Sequence, residues 1–352
     1  MLNRRKVVFI LPNSIGGAER MSINIANFLD KDTFDVKFVV MGKSLNPISN
    51  LIPSNYDIEL IKIRNIWYFF TFRLIRLFRK EKPHVVFCSL MNLSVRVIIA
   101  SKIVGGIKCI IRSDNYCNVL RKDQFWLCRA TFRYADIIIA QQEDMRREII
   151  KKLSINSDKI VTIHNPLDTK KIDLMVNTPN PYPSNNSVNY LWVARFDYWK
   201  GQDILIKSFL IVKKIVKNAH LYLVGGFDKN SKYYQEISSL IINNNLQNDI
   251  HVIGYDSNPY KWMKYCDCFV LPSRIEGLPN ALIEAMYLKR PVVAARCIPI
   301  ISNIIEQGYN GFLVEKEDYN NMANAMIKAI TLKNFEMTYK PSTSLDFIKL
   351  FY

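Results

Sequence analysis

Two carboxylates stand close together in SRIEGLPNALIEAM, residues 273–286: Glu276 just ahead of a Gly277-Leu278-Pro279 turn, and Glu284 beyond it. The apolar run CFVLP stops at Pro272, and Pro279 suits the first turn of a helix, where a missing N–H costs nothing. That helix start offers free backbone N–H groups and the positive dipole end to an anion. Acids beside such an anion site suit hydroxyl hydrogen bonds, because sugars and riboses present hydroxyl pairs that a carboxylate can grip. A phosphate between sugars fits all three features. A second group lies in VARFDYWKG, residues 193–201, where Arg195 and Lys200 flank a loop straight after a strand. A guanidinium and an ammonium there can clamp a diphosphate and neutralise charge as it leaves. The third is LPNSIGGAER, residues 11–20, in which Gly16 and Gly17 follow the first strand and open a helix, so that backbone amides can approach a ligand closely.

These loops need strands to end on and helices to begin. Short β-branched runs alternate with helical patterns from KVVFIL through KIVTIH, and the apolar strands are continuous rather than alternating, which specifies a parallel sheet covered on both faces. MVNTPNPYPSNNS, residues 175–187, carries three prolines and no periodicity and reads as a linker. After it the rhythm restarts at YLWVARF. The expected organisation is α/β, with two doubly wound Rossmann-like domains facing a central cleft: the first over 1–174, the linker 175–187, and the second over 188–352. Ligands in such sheets bind at the carboxyl ends of the strands.

The glutamate pair of EGLPNALIE, the Arg and Lys of ARFDYWKG, the GGAER opening and the HNPLD strand end together resemble glycosyltransferase family 4, retaining enzymes of the GT-B fold. The resemblance spans nearly the whole chain, and the glutamate pair in its strand-loop-helix context is its most specific part. It implies that Glu284 holds the nucleotide ribose, Glu276 the donor sugar hydroxyls, and Arg195 and Lys200 the diphosphate. Gly277, Leu278 and Pro279 would line the sugar and phosphate, and Gly16 and Gly17 would close the cleft from the first domain. It also implies that no bound metal or other cofactor is needed, the donor being a substrate. The GGAER and RSDN stretches resemble members that use UDP-N-acetylhexosamines, which favours a UDP-sugar. The chain departs from the family at Ala194, where many relatives have glycine. In IIRSDNYCN it has no histidine, and Arg112, Asp114 and Asn115 are the acceptor-side candidates. The segment from Lys333 to Tyr352 is short, so an abbreviated C-terminal helix is expected.

The chain has 352 residues, 49% hydrophobic and 22% charged, enough for two folded domains. Its net charge of +17 is uneven: residues 1–170 hold 28 Lys+Arg against 15 Asp+Glu, a balance of +13. An acidic partner is implied for that half, namely anionic lipid, a phosphorylated substrate or nucleic acid. Seven cysteines, mostly in apolar runs, read as core residues of a reducing compartment. Cys266 and Cys268 have no second pair at zinc spacing, and Asp30 and Asp32 stand at a helix end, so no metal site is expected. The start NRRKVVFILPN reads as a first strand rather than a signal peptide, and no run approaches the roughly 20 apolar residues of a membrane span.

In RNIWYFFTFRLIRLFRKEK, residues 64–82, Trp67, Phe70, Leu74, Leu77 and Phe78 share one helical face while Arg73, Arg76, Arg79 and Lys80 lie around the other. This is the pattern of an interfacial helix on anionic lipid, and equally of a helix packed on the first sheet with a basic outer face. RKDQFWLCRATFR, residues 121–133, repeats the combination and favours the membrane. The expected protein is a cytoplasmic glycosyltransferase, peripheral on the inner membrane, acting with a nucleotide sugar on a lipid-linked saccharide. A sugar-nucleotide epimerase of the same fold is the alternative. Nucleic-acid binding is opposed by the lack of a reading motif.

Overall fold

The computed structural model describes residues 4–62, 70–183 and 186–352. Residues Met1–Pro166 and Ser342–Tyr352 form one compact unit, and Leu167–Pro341 form the second.

Unit 1 follows the chain as β1 (Arg5–Pro12), α1 (Gly17–Phe28), β2 (Phe34–Gly42), β3 (Asp57–Lys62), α2 (Phe70–Glu81), β4 (Val85–Cys88), α3 (Met91–Val104), β5 (Lys108–Arg112), α4 (Lys122–Thr131), β6 (Ile137–Ala140), α5 (Glu143–Leu153) and β7 (Ile160–Thr162). All strand pairings are parallel, in the order β3-β2-β1-β4-β5-β6-β7. The strands are buried on both faces, which is why Val7 to Leu11 and Val85 to Cys88 are unbroken apolar runs. One face is covered by α2, α3, α4 and α5, the other by α1.

Unit 2 runs α6 (Thr169–Met175), β8 (Val188–Val193), α7 (Gln202–Ile215), β9 (Ala219–Val224), α8 (Lys232–Asn243), β10 (Ile250–Gly254), α9 (Tyr260–Tyr265), β11 (Cys268–Leu271), α10 (Asn280–Tyr287), β12 (Val292–Ala295), α11 (Ile301–Ile304), β13 (Gly311–Val314) and α12 (Tyr319–Ala329). Its parallel sheet has the order β10-β9-β8-β11-β12-β13. In each sheet the order reverses beside the first strand, between β1 and β4 and between β8 and β11, and such a switch point opens a crevice at the carboxyl ends of the strands.

Two boundaries differ from those expected from composition. The stretch 175–187 is not a free linker along its described length, because it is tied to unit 2. Tyr182 is buried against Tyr222 and Trp262 and donates to the Trp262 carbonyl at 2.8 Å. Asn258, Lys264 and Tyr265 bond the carbonyls of Met175, Val176 and Thr178. The chain end belongs to unit 1. The short helix α13 (Ser344–Ile348) and the turn after it bury Phe347, Leu350 and Phe351 on the α1 side of the sheet, with Phe351 5.9 Å from the Phe9 ring and 6.0 Å from that of Phe87.

The amphipathic stretch also takes a definite side. Leu74, Ile75, Leu77 and Phe78 of α2 are buried in the unit 1 core, so this apolar face packs on the sheet and is not available to lipid. Arg73, Arg76, Arg79 and Lys80 point outward, Arg73 bonding the Lys62 carbonyl. Trp67 and the side chain of Phe70 lie outside the described residues.

The histidines hold structural positions. His84 accepts a hydrogen bond from the Lys6 amide, and His164 is half-buried near the start of the return segment, its N–H donating to Ser342. His220 and His251 face each other across β9 and β10, Nδ1 to Nε2, at 3.1 Å. Burial holds both imidazoles below the ordinary histidine range, helped by Lys213 at His220 and by His220 itself at His251, against the opposing pull of Asp249. The native state therefore favours the neutral rings, whereas the unfolded chain takes up protons near pH 6.5. Stability is complete above that pH and is lost as pH falls through it. The melting temperature should be flat from pH 8 to 7 and decline below about pH 6.5, and His251→Phe should reduce that decline; an equal slope in the variant would count against the pair as its source.

Candidate active site

The carboxyl ends of β8 and β11, at the switch point of the unit 2 sheet, carry both charged groups singled out above. Lys200 reaches from the loop after β8 to Glu276 in the loop after β11, its Nζ 2.8 Å from each carboxylate oxygen. Glu276 is buried and also accepts from the Ser273 hydroxyl at 2.7 Å. Arg195 leaves the end of β8 into solvent, 67% exposed, with one 3.3 Å contact to Asp197.

Local backbone chemistry sets this geometry. Asp197 caps a single 3₁₀ turn, its carboxylate accepting from the Trp199 amide at 3.0 Å, and the turn delivers Lys200. Gly201 then opens α7 at φ +70°, and a Cβ there would lie 2.3 Å from the Pro272 carbonyl, so the two loops approach more closely than any other residue permits. Gly225, at the end of β9, is under the same constraint: a Cβ would sit 1.5 Å from the Ala194 carbonyl. No side chain caps α10, which starts at Asn280 with Pro279 as its N-cap, one position later than the proline pattern suggests. Gly277, Leu278 and Pro279 lead into this start, Leu278 with its side chain buried. Glu284 lies in the second turn, half-buried, accepting from the Tyr260 hydroxyl at 3.4 Å.

Sequence reasoning missed the residue that fastens the two loops. Arg274 bonds both oxygens of Asp203 at 2.9 and 2.8 Å and both of Glu317 at 2.6 and 3.1 Å. It also donates to the Tyr198 carbonyl at 2.7 Å and lays its guanidinium 4.0 Å from the centre of the Tyr198 ring. The Asp203 bonds, and then those of Glu317, outweigh burial and raise Arg274 above the ordinary arginine range, so its charge is permanent. Burial pushes Asp203 upward, yet Arg274 and Tyr233 hold it below the usual carboxylate range. Tyr233 bonds Gln202 at 3.0 Å, and Gln202 in turn holds the Arg195 carbonyl at 3.2 Å. The thiol of Cys297 is pushed up to about 12 by burial and then by the charge of Glu276, which keeps it protonated.

In unit 1 the glycine pair behaves differently from a bare amide nest. Gly16 is the N-cap of α1 and Gly17 its first residue, and the buried Glu19 carboxylate folds back onto Gly16 while the Cβ side of Gly17 stays open. Ser14 donates to Glu19 at 2.6 Å, and a Cβ on Gly16 would lie 2.7 Å from that carboxylate. Arg112 is buried at the end of β5, donating to Ser89 at 2.9 Å and to Asn165. Burial lowers it to about 10, against the attraction of Asp114. Asp114 accepts from the Met91 amide at 3.2 Å and from Asn115 at 3.1 Å, and burial raises its carboxyl above the ordinary range. Gln141 holds this loop through the Ser113 and Asp114 carbonyls. Arg112, Asp114 and Asn115 are thus one network, extended by Ser89, Gln141 and Asn165.

The motifs set aside earlier stay apart from both groups. Cys266 and Cys268 are fully buried, desolvation pushing Cys266 up to about 12 and holding Cys268 well above the usual thiol range, and Asp30 is occupied by Thr33 and the Asp32 amide. Among the described residues no helix is long and apolar enough to cross a membrane.

Residues 15–171 match the model of Glycosyltransferase Family 4, and residues 181–343 match that of Glycosyl transferases group 1. The chain belongs to these glycosyltransferases, and its two parallel-sheet units are the Rossmann-like domains of the GT-B fold. The uncharacterized glycosyltransferase MJ1059 of Methanocaldococcus jannaschii is 33% identical over 47% of this chain and 41% of its own length. The UDP-Gal:alpha-D-GlcNAc-diphosphoundecaprenol alpha-1,3-galactosyltransferase of Escherichia coli is 22% identical over 89% of this chain and 84% of its own. Among solved structures, Anabaena Alr3699/HepE in complex with UDP-glucose matches with a TM-score of 0.78 at 18% identity, over 98% of each chain.

Proposed function

We propose that this glycosyltransferase retains the anomeric configuration and moves a sugar from a UDP-sugar to a hydroxyl of a lipid-diphosphate-linked saccharide in surface-polysaccharide assembly, without a metal. The observation that carries the reading is the Lys200–Glu276 pair at the carboxyl ends of β8 and β11, on the same two loops that carry Arg195 and lead into α10, whose start no side chain caps. The leaving group of a sugar nucleotide is an anionic diphosphate, and the site supplies two cations and a helix N-terminus to meet it. Glu276 and Glu284 offer acceptor oxygens to sugar and ribose hydroxyls, Gly277, Leu278 and Pro279 line the sugar and phosphate, and Gly16 and Gly17 are the donor-binding candidates of unit 1. Arg112, Asp114 and Asn115 are the acceptor-side group. The E. coli and Anabaena relatives support the choice of donor and acceptor class.

Thermal unfolding against a panel of nucleotide sugars identifies the donor, since a specific ligand stabilises the native state by mass action. The matching donor should then be consumed only when acceptor is present, and with EDTA as well as without it. Conversion of donor to an isomer in the absence of acceptor would replace this reading with epimerase chemistry, and a metal-reversible loss in EDTA would overturn the metal-free mechanism.

The reading places the enzyme at the cytoplasmic face of the membrane, held by surface contact. The basic residues Arg76, Arg79 and Lys80 of α2 are exposed, and α4 adds Trp126, 63% exposed, and Leu127. Beside α4 a largely apolar cavity of about 320 Å³ is lined by Ile98, Ile99, Lys102, Ile103, Thr131 and Tyr134. Basic residues near anionic headgroups are worth on the order of 1 kcal/mol each. Trp126→Ser with Leu127→Ser should release the protein from phosphatidylglycerol-containing vesicles, as should Arg76→Glu with Arg79→Glu. Unchanged pelleting in both would retire the membrane assignment.

A further inference from the structure

Tyr198 and Trp199 lie between the two cations of the site, 52% and 51% exposed, and the diphosphate role of Arg195 and Lys200 does not call for either. They are held with unusual firmness for a surface turn. The Trp199 amide is fixed by Asp197, and its carbonyl accepts from the Arg274 amide at 2.8 Å, in the loop that carries Glu276. The two rings are used differently. Tyr198 is scaffold: Arg274 covers one side of it, and Tyr233 meets it edge-on at 6.2 Å. The indole of Trp199 has, among the described residues, only the edge of Tyr198 at 5.4 Å as a ring neighbour. A flat apolar surface is therefore presented beside Lys200 on a backbone that does not have to be ordered on binding, and such pre-organisation makes an aromatic an economical anchor.

The ligand this surface fits must combine a flat apolar face with a rim of hydroxyls, since Trp199 directly precedes Lys200, the partner of Glu276, and its carbonyl is bonded by the Arg274 amide two residues before Glu276. A pyranose ring has that form: the axial C–H groups of one face lie on the indole while the equatorial hydroxyls reach the charged pair. We propose that Trp199 is the stacking platform for a pyranose at this site. The inference rests on the glycosyltransferase reading of the same loops. The pyranose belongs either to the donor or to the acceptor saccharide, and the two sources are separable.

The test uses the full chain, wild type and Trp199→Phe, Trp199→Ala, with the Trp199 emission taken as the difference between wild type and Trp199→Phe. UDP, UDP-glucose, UDP-galactose, their N-acetyl counterparts and the matching methyl glycosides are the probes. A change in Trp199 emission with a UDP-sugar beyond that with UDP assigns the donor; a change with a methyl glycoside assigns the acceptor. In turnover, Trp199→Ala should raise KM for the assigned partner by about 3- to 10-fold, the range of a single aromatic contact, and Trp199→Phe should restore most of it. If UDP stabilises the wild type but no sugar moves Trp199 emission and Trp199→Ala leaves both KM values within twofold, the platform is overturned while the enzyme reading stands. If no nucleotide or nucleotide sugar binds at all, the reading beneath it fails and the platform falls with it.

Discussion

Arg195→Ala should lower turnover by roughly 100- to 1,000-fold, the cost of one preorganised contact to developing charge, while melting at the wild-type temperature. Both halves of that expectation come from the same geometry. The side chain is 67% exposed and makes one 3.3 Å contact to Asp197, so the fold draws little from it; exposed pairs of this kind contribute about 0–1 kcal/mol. Its chemical use begins only when a diphosphate arrives, and the loss should therefore appear in kcat measured at saturating donor. Near-normal turnover in a well-folded variant would remove Arg195 from the leaving-group role.

Lys200→Met should fail in two ways at once. Glu276 is buried, and Lys200 supplies both of its 2.8 Å charge-assisted bonds, so the single substitution leaves a carboxylate stranded with Ser273 alone. Breaking a buried pair from one side costs about 3–5 kcal/mol, and the partial exposure of Lys200 places the expectation at the lower end. Turnover should fall as well, because the second cation of the site is gone. Lys200→Met combined with Glu276→Leu distinguishes the two losses: removing the stranded charge should restore most of the stability, measured by denaturant unfolding, and none of the activity. Recovery of activity in the double variant would show that the pair is only a structural strut.

The strand rhythm was legible because a parallel strand buried on both faces must be apolar at every position, and that leaves an unmistakable run. Glu276 and Glu284 could be recognised because a single short segment holds both. Arg274 could not. Its carboxylate partners, Asp203 and Glu317, are 71 and 43 residues away, and nothing in the local spacing joins them. Glu19 stands close to the glycine pair, yet nothing in GGAER shows that its carboxylate turns back onto Gly16. The α2 pattern was read accurately but cannot choose its own surroundings, since an apolar stripe opposite arginines suits a sheet and a bilayer alike. Proline and asparagine made residues 175–187 look like a tether, yet the single aromatic Tyr182 anchors the segment to unit 2.

The return of residues 342–352 to the first sheet gives the two domains unequal independence. Unit 2 is one uninterrupted stretch of chain that can be excised whole. Unit 1 is assembled from both ends of the sequence, so a fragment stopping at residue 166 would lack the cover over Phe9 and Phe87. During synthesis the first sheet must wait for residues 342–352 to emerge before that side is sealed, and a chain cut at residue 341 would carry the whole second domain beside an open first one.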